Sequence, residues 1–122
     1  MLPQEHKDLI EVLMQKTAGN GMTWERGQGR LDFQSRFKGR KFLVNKYFAT
    51  LPDGSAPCLS LAIFNAKDAL ESEFTLCDGI AEQKDDYTLI NNLYNAVSDK
   101  VPVKIVYSNL SLINSITQSL KE

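Results

Sequence analysis

One histidine and two cysteines are all that this 122-residue chain offers toward imidazole or thiolate chemistry. His6 stands beside Glu5 near the N-terminus, and a lone imidazole limits both catalytic triads and histidine-based metal sites. Acid–base work also needs a positioned partner, so His6 is read as a solvated side chain. Cys58 and Cys77 are too few for a metal site with one distant histidine, and they are read as free thiols. No apolar run approaches the roughly eighteen residues of a membrane span. Met1 to Lys16 contains acids and lacks the apolar stretch of a secretory signal, so a cytoplasmic setting is expected. Gly27-Gln28-Gly29 looks like part of a phosphate loop, but no Gly-Lys-Ser/Thr follows and strands are expected on both sides. It is read as a hairpin turn. No cofactor is expected, and an enzyme is not the expected reading.

The most informative scarcity is of one sign of charge. From Asp53 to Asp99 only Lys67 and Lys84 stand against nine acids, a balance of −7. Between positions 26 and 46 the reverse holds. Arg26, Arg30, Arg36, Lys38, Arg40, Lys41 and Lys46 face only Asp32, a balance of +6. A formal net charge of −1 therefore hides a polarised chain, and such polarity points to a binding surface.

A hydrophobic content of 43% with 24% charged residues is ordinary for a globular protein, and the length fits one domain over 1–122. Leu9, Ile10, Leu13, Met14 and Thr17 recur at helical spacing after Pro3, a residue suited to a first helical turn. A helix is expected at about 3–18, closed by Gly19-Asn20-Gly21. The pattern then switches to alternation. A four-residue loop at 26–29 would put Glu25 opposite Arg30, Trp24 opposite Leu31 and Met22 opposite Phe33. A two-residue turn at Lys38-Gly39 would put Phe33 opposite Val44 and Phe42 on the core side. That register sets Arg36 against Lys41 on the outer face and sends Arg40 and Lys46 to the inner rim.

Residues 51–57 read as a loop. Leu59, Leu61 and Ile63, then Leu70, Ser72, Phe74 and Leu76, read as two further antiparallel strands. The outer face of the sheet should run from basic at one edge to acidic at the other. Glu71 and Glu73 should share that face as a solvated pair. Asp85 or Asp86 is expected to cap a helix carrying Leu89, Ile90, Leu93, Tyr94 and Val97, which Pro102 interrupts. Residues 102–107 fit either strand or helix. A final helix is expected at about 109–120, with Ser108 or Asn109 as its cap. The order gives an α+β fold: an N-terminal helix, an antiparallel meander of about four to five strands, and C-terminal helices on one face. Trp24 is expected in the core between the first helix and the meander.

Leu13-Met-Gln-Lys-Thr-Ala-Gly-Asn-Gly-Met-Thr-Trp24 resembles a stretch of small uncharacterised bacterial proteins, in which a helix ends in Lys-Thr before a glycine turn and a tryptophan-bearing strand. The resemblance extends to Leu59-Ser-Leu-Ala-Ile-Phe64 and to the helix with Leu93-Tyr94. It implies a helix–meander–helix layout and no active site. Asn65-Ala-Lys-Asp-Ala69 departs from it, because a glycine is expected in that hairpin.

The candidate binding residues are Arg30, Arg36, Lys38 and Lys41, projecting from one face of the basic hairpin. Two partners suit such a face: an acidic protein surface, including a second copy, or a nucleic-acid backbone. The expected function is a small cytoplasmic protein-interaction module using the charge-polarised sheet face. The alternative is nucleic-acid binding through hairpin 26–46. It is weakened by phenylalanines that face inward and by a pI near 5.8.

Overall fold

The computed structural model describes residues 2–29, 31–101 and 110–121. Helix α1 spans Gln4–Ala18, and Pro3 precedes it with a carbonyl that accepts from the amides of His6 and Lys7. Asn20, with φ of 60°, supplies the left-handed residue after the helix. Five strands follow: β1 Glu25–Arg26, β2 Asp32–Phe37, β3 Arg40–Leu51, β4 Gly54–Phe64 and β5 Leu70–Cys77. They pair in chain order as one antiparallel sheet. A short turn at Ala81–Gln83 leads into α2, Lys84–Lys100, and a further helix α3 spans Leu110–Lys121. The architecture is the expected α+β one. Pro102, the segment 102–107 and the Ser108 or Asn109 cap lie outside the described residues.

Alternation along each strand decides what lies beneath the helices. Phe33, Phe42, Val44, Leu59, Leu61 and Leu76 point to one side of the sheet and meet Ile10 and Leu13 of α1 with Ile90, Leu93, Tyr94 and Val97 of α2. Trp24 is buried against this core as expected. Its Nε1 donates to Thr17 Oγ1 at 2.9 Å, and that hydroxyl donates to the Leu13 carbonyl at 2.7 Å. The only tryptophan is thus tied to α1 through a fully satisfied polar pair.

The second hairpin has the expected register. Lys38 and Gly39 take φ of 51° and 79°, Phe33 pairs with Val44, and Arg36 pairs with Lys41. The first hairpin differs. Glu25 pairs with Gln34 and Arg26 with Phe33, so the expected pairings of Trp24 with Leu31 and Met22 with Phe33 do not form. The expected partner Arg30 lies outside the described residues. The loop closes over the Asp32 carboxylate, and a Cβ on Gly27 would stand 2.8 Å from that group, so a larger residue there would have to displace the Asp32 side chain. The Leu31 carbonyl then accepts from both Lys46 N and Tyr94 Oη, which leaves the Leu31 side chain exposed instead of in the core.

Three further expectations are corrected. Residues 51–57 are not a loop, because β3 and β4 continue to a tight turn at Pro52-Asp53 with Leu51 opposite Gly54. Pro57 is tolerated inside β4 because its position faces the end of β5, where its carbonyl accepts from Asp78 N. Neither Asp85 nor Asp86 caps α2. The preceding residue is Gln83, and Asp86 is buried, accepting from Leu2 N at 2.7 Å and facing Lys7 Nζ at 3.7 Å. The glycine-free hairpin at 65–69 closes through Asn65, whose Oδ1 accepts from Lys67 N and Ala69 N while Asp68 takes a φ of 60°.

Candidate functional site

The face of the sheet turned away from α1 and α2 is ordered in rows across the strands. At one end Arg36, Lys41, Phe64 and Leu70 lie side by side. The next row is Gln34, Leu43, Ala62 and Glu73, and the one after it Asp32, Asn45, Ser60 and Thr75. Tyr47, Cys58 and Cys77 form the last. The middle of this face is therefore short, mostly uncharged side chains, while the charge gathers at one end.

At the charged end the repulsion between Arg36 and Lys41 is answered from within the chain. Arg36 Nη2 donates to Asp68 Oδ1 at 2.8 Å from the β4–β5 turn. That hydrogen bond, with the charges of Arg36 and Lys41, holds the Asp68 carboxyl below its ordinary range against a weaker opposing effect of desolvation. Lys41 Nζ lies 4.5 Å from the centre of the Phe64 ring, a cation–π contact. Lys38 sits at the hairpin tip, exposed, with its Nζ 5.6 Å from the Phe37 ring. The structure thus brings Arg36 and Lys41 together and puts Lys38 beyond them. Arg30 lies outside the described residues.

The expected gradient from basic to acidic edge is not what this face carries. An irregularity between Ile63 and Phe64 pairs Ile63 with Ser72 but Phe64 with Leu70, which leaves Glu71 unpaired in the ladder. Glu71 therefore does not share a face with Glu73. It receives Arg40 Nε at 3.0 Å at the rim of the inner side. Arg40 and Lys46 occupy that inner rim as expected, Lys46 lying 5.9 Å from the rings of Phe48 and Tyr94.

The free-thiol expectation is overturned. Cys58 and Cys77 form a disulfide, their Cα atoms 4.0 Å apart on facing positions of β4 and β5. Cys77 N donates to Gln83 Oε1 instead of to its neighbour strand, so this is a pair in which the side chains approach closely. The expectation failed because nothing in the spacing of two cysteines says that their strands are adjacent and in this register.

His6 is half-buried instead of solvated. It packs edge-on against Phe74 at 5.1 Å, and its Nδ1 is shut off from solvent. Glu5, His6, Leu9, Ile63 and Ser72 line a shallow hollow of about 200 Å³. A larger one, about 290 Å³, lies at the β3–β4 tip between Leu51, Asp53, Ala56, Gly79 and Ile80. Among the described residues no three His, Cys, Asp or Glu side chains are grouped to hold a metal ion, and no helix is long and apolar enough to cross a membrane. Family models, curated proteins and solved structures yield no match to this chain.

Proposed function

We propose that the chain is a protein-interaction module that binds through the open face of its sheet. The observation that carries this reading is the one-sided covering of the sheet. The helices α1 and α2 take one face, while the other presents an uncharged centre around Leu43, Asn45 and Ser60, ending in the Arg36–Lys41 pair. A surface of that kind combines an uncharged, mostly polar middle with a charged margin that selects orientation. Lys38, Lys41 and Arg36 would form the margin, with Asp68 yielding when an acidic partner arrives.

Nucleic-acid binding through the basic hairpin has less support. Arg36 and Arg40 are held by acids, and the other described cations of the hairpin, Arg26, Lys38, Lys41 and Lys46, lean on rings. The cytoplasmic setting loses one support, since a Cys58–Cys77 disulfide is a bond that oxidising compartments maintain.

The test places a photo-activated cross-linker at position 43 and, as control, at exposed Glu11 of α1. Discrete protein adducts from position 43, lost in an Arg36→Glu, Lys41→Glu variant, are the expected result. Adducts no different from the control would overturn the reading. A salt titration with single- and double-stranded oligonucleotides covers the alternative, which needs binding at low salt that the same double variant abolishes.

A further inference from the structure

Strand β3 outruns its neighbour on one side. Next to β2 it is paired only as far as Asn45, and Lys46 N then donates to the Leu31 carbonyl. Farther on, Tyr47 to Leu51 pair with β4 alone, and among the described residues no strand lies along their other edge. Hydrogen-bonding direction alternates along an antiparallel strand, so the N–H and C=O groups of Phe48 and Thr50 point the same way as Lys46 N, into this notch. Three exposed large apolar side chains surround it: Leu31 at 41%, Tyr47 at 41% and Phe48 at 62%. Sheet edges are commonly guarded by charge or proline, and Tyr47-Phe-Ala-Thr-Leu51 has neither. A row of backbone donors and acceptors is matched by another strand, whereas lipid tails offer it no partner.

The ends of the notch restrict which strand fits. Leu31 fills the place opposite Lys46, so an incoming strand must turn aside opposite Phe48 without leaving an amide donor stranded there. At that closed end it meets the loop that begins at Arg26, which lies over the Phe33 ring and has no acid partner among the described residues. The β3 arm of a second copy meets each condition. Run antiparallel with Thr50 opposite Thr50, it lets the two threonines exchange both hydrogen bonds and sets Ala49 opposite Leu51. Pro52 then stands opposite Phe48, brings no N–H, and opens the turn that leads the chain away. Asp53 is exposed and has no ion-pair partner among the described residues, and that turn carries it to the loop after Arg26 of the other copy. Two-fold symmetry makes each of these contacts twice.

We propose that the free edge of β3 at Tyr47 to Leu51 pairs antiparallel with the same edge of a second copy, joining the two sheets about an axis at Thr50. This contact is separate from the open sheet face. Five residues a side bury less than the roughly 1,200 Å² of a standard stable interface, so the dimer is reversible and forms at micromolar or higher concentration.

Sedimentation velocity on the full chain from low micromolar to submillimolar concentration tests the proposal. The expected result is a mass that rises from the 13.7 kDa of the monomer toward twice that value. Thr50→Pro removes an N–H that the fold itself does not use, so circular dichroism should be unchanged while association weakens by at least about tenfold. Asp53→Lys and Arg26→Asp leave the edge intact and set like charges against each other at both ends of the contact. Each alone should dimerise more weakly at low salt, and an equimolar mixture of the two should associate more tightly than either. A monomer at every concentration overturns the proposal, as does a dimer indifferent to Thr50→Pro or a mixture no tighter than its components. A protein that stays monomeric yet binds a Thr-Val-Thr-Val-Thr-Val peptide, and loses it on Thr50→Pro, would likewise overturn it by assigning the edge to a strand of another protein.

Discussion

Leu61 and Ala62 are neighbours in β4, both almost wholly buried, and they point to opposite sides of the sheet. Leu61 is covered by large apolar side chains of the two packed helices. Ala62 is sheltered only because it is small and lies between Leu43 and Glu73 on the open face. On the first side cohesion comes from apolar volume, which is non-directional and additive over many contacts. On the second it comes, among the described residues, from individual links: the Arg36–Asp68 ion pair, the Gln34–Glu25 hydrogen bond, the Lys41–Phe64 cation–π contact and the disulfide. A face held by individual links keeps its shape while leaving its centre free to meet something else.

The largest effect should come from the covered side. Leu61→Ala should lower unfolding free energy by about 3–4 kcal/mol in urea denaturation, whereas Leu43→Ala on the open face should cost about 1 kcal/mol. Equal losses would abolish the distinction between the faces. Next comes the covalent link. Replacing Cys58 and Cys77 together by serine, or reducing the bond, should cost about 3 kcal/mol for a closure spanning 19 residues. A loss near zero would mean that the pairing of β4 with β5 needs no help.

Tyr94 sharpens the contrast through pH. Burial first, and then the negative charge of Asp32, raise its phenol above the ordinary range, with Arg26 opposing, and its hydroxyl donates to the Leu31 carbonyl at 2.9 Å. The folded state thus favours the protonated phenol. Its contribution is complete below the unfolded value of about 10 and is lost as pH rises through the higher folded value. Tyr94→Phe should cost about 1 kcal/mol at neutral pH and reduce the alkaline loss of stability. A variant with an unchanged alkaline limb would place that loss elsewhere, for instance at Tyr87, which burial and Asp78 also raise.

The smallest effect belongs to the exposed ion pair. Asp68→Asn should leave thermal stability unchanged within error, because surface pairs contribute little. An NMR titration should still find the Asp68 carboxyl ionising below its ordinary range, with that depression fading in high salt. A clear loss of stability in the variant would show that the open face relies on this pair more than the comparison allows.

Much of the candidate face was legible because β-alternation has a period of two and a two-residue turn leaves no freedom of register. Lys38-Gly39 therefore placed Arg36 against Lys41, and with them the inward Phe42 and the rim positions of Arg40 and Lys46. The first hairpin was not legible, because its loop length depends on how Asp32 is enclosed by Gly27 and its neighbours. The acidic edge was misread for a related reason. One unpaired residue in β5 moves Glu71 off the face on which strict alternation puts it. Where the anion for Arg36 comes from was also hidden, since Asp68 is 32 positions away and reaches it only after two hairpins have formed.

From the sequence alone came the α+β class, the helix that opens the chain, the meander and its buried alternation, the amphipathic α2 and α3, and the clustering of cations. All of these depend on local periodicity or on turns of two residues, which neighbouring positions specify by themselves. Only the tertiary structure decided that Cys58 meets Cys77, that Asp86 holds Leu2 instead of capping its helix, and that the charged end of the open face is answered by Asp68. Those outcomes depend on which distant segments are brought side by side, and the free energy of that meeting is shared among many residues. The polarity between residues 26–46 and 53–99 survives in the fold, then, with Arg36 and Arg40 answered within one molecule by Asp68 and Glu71.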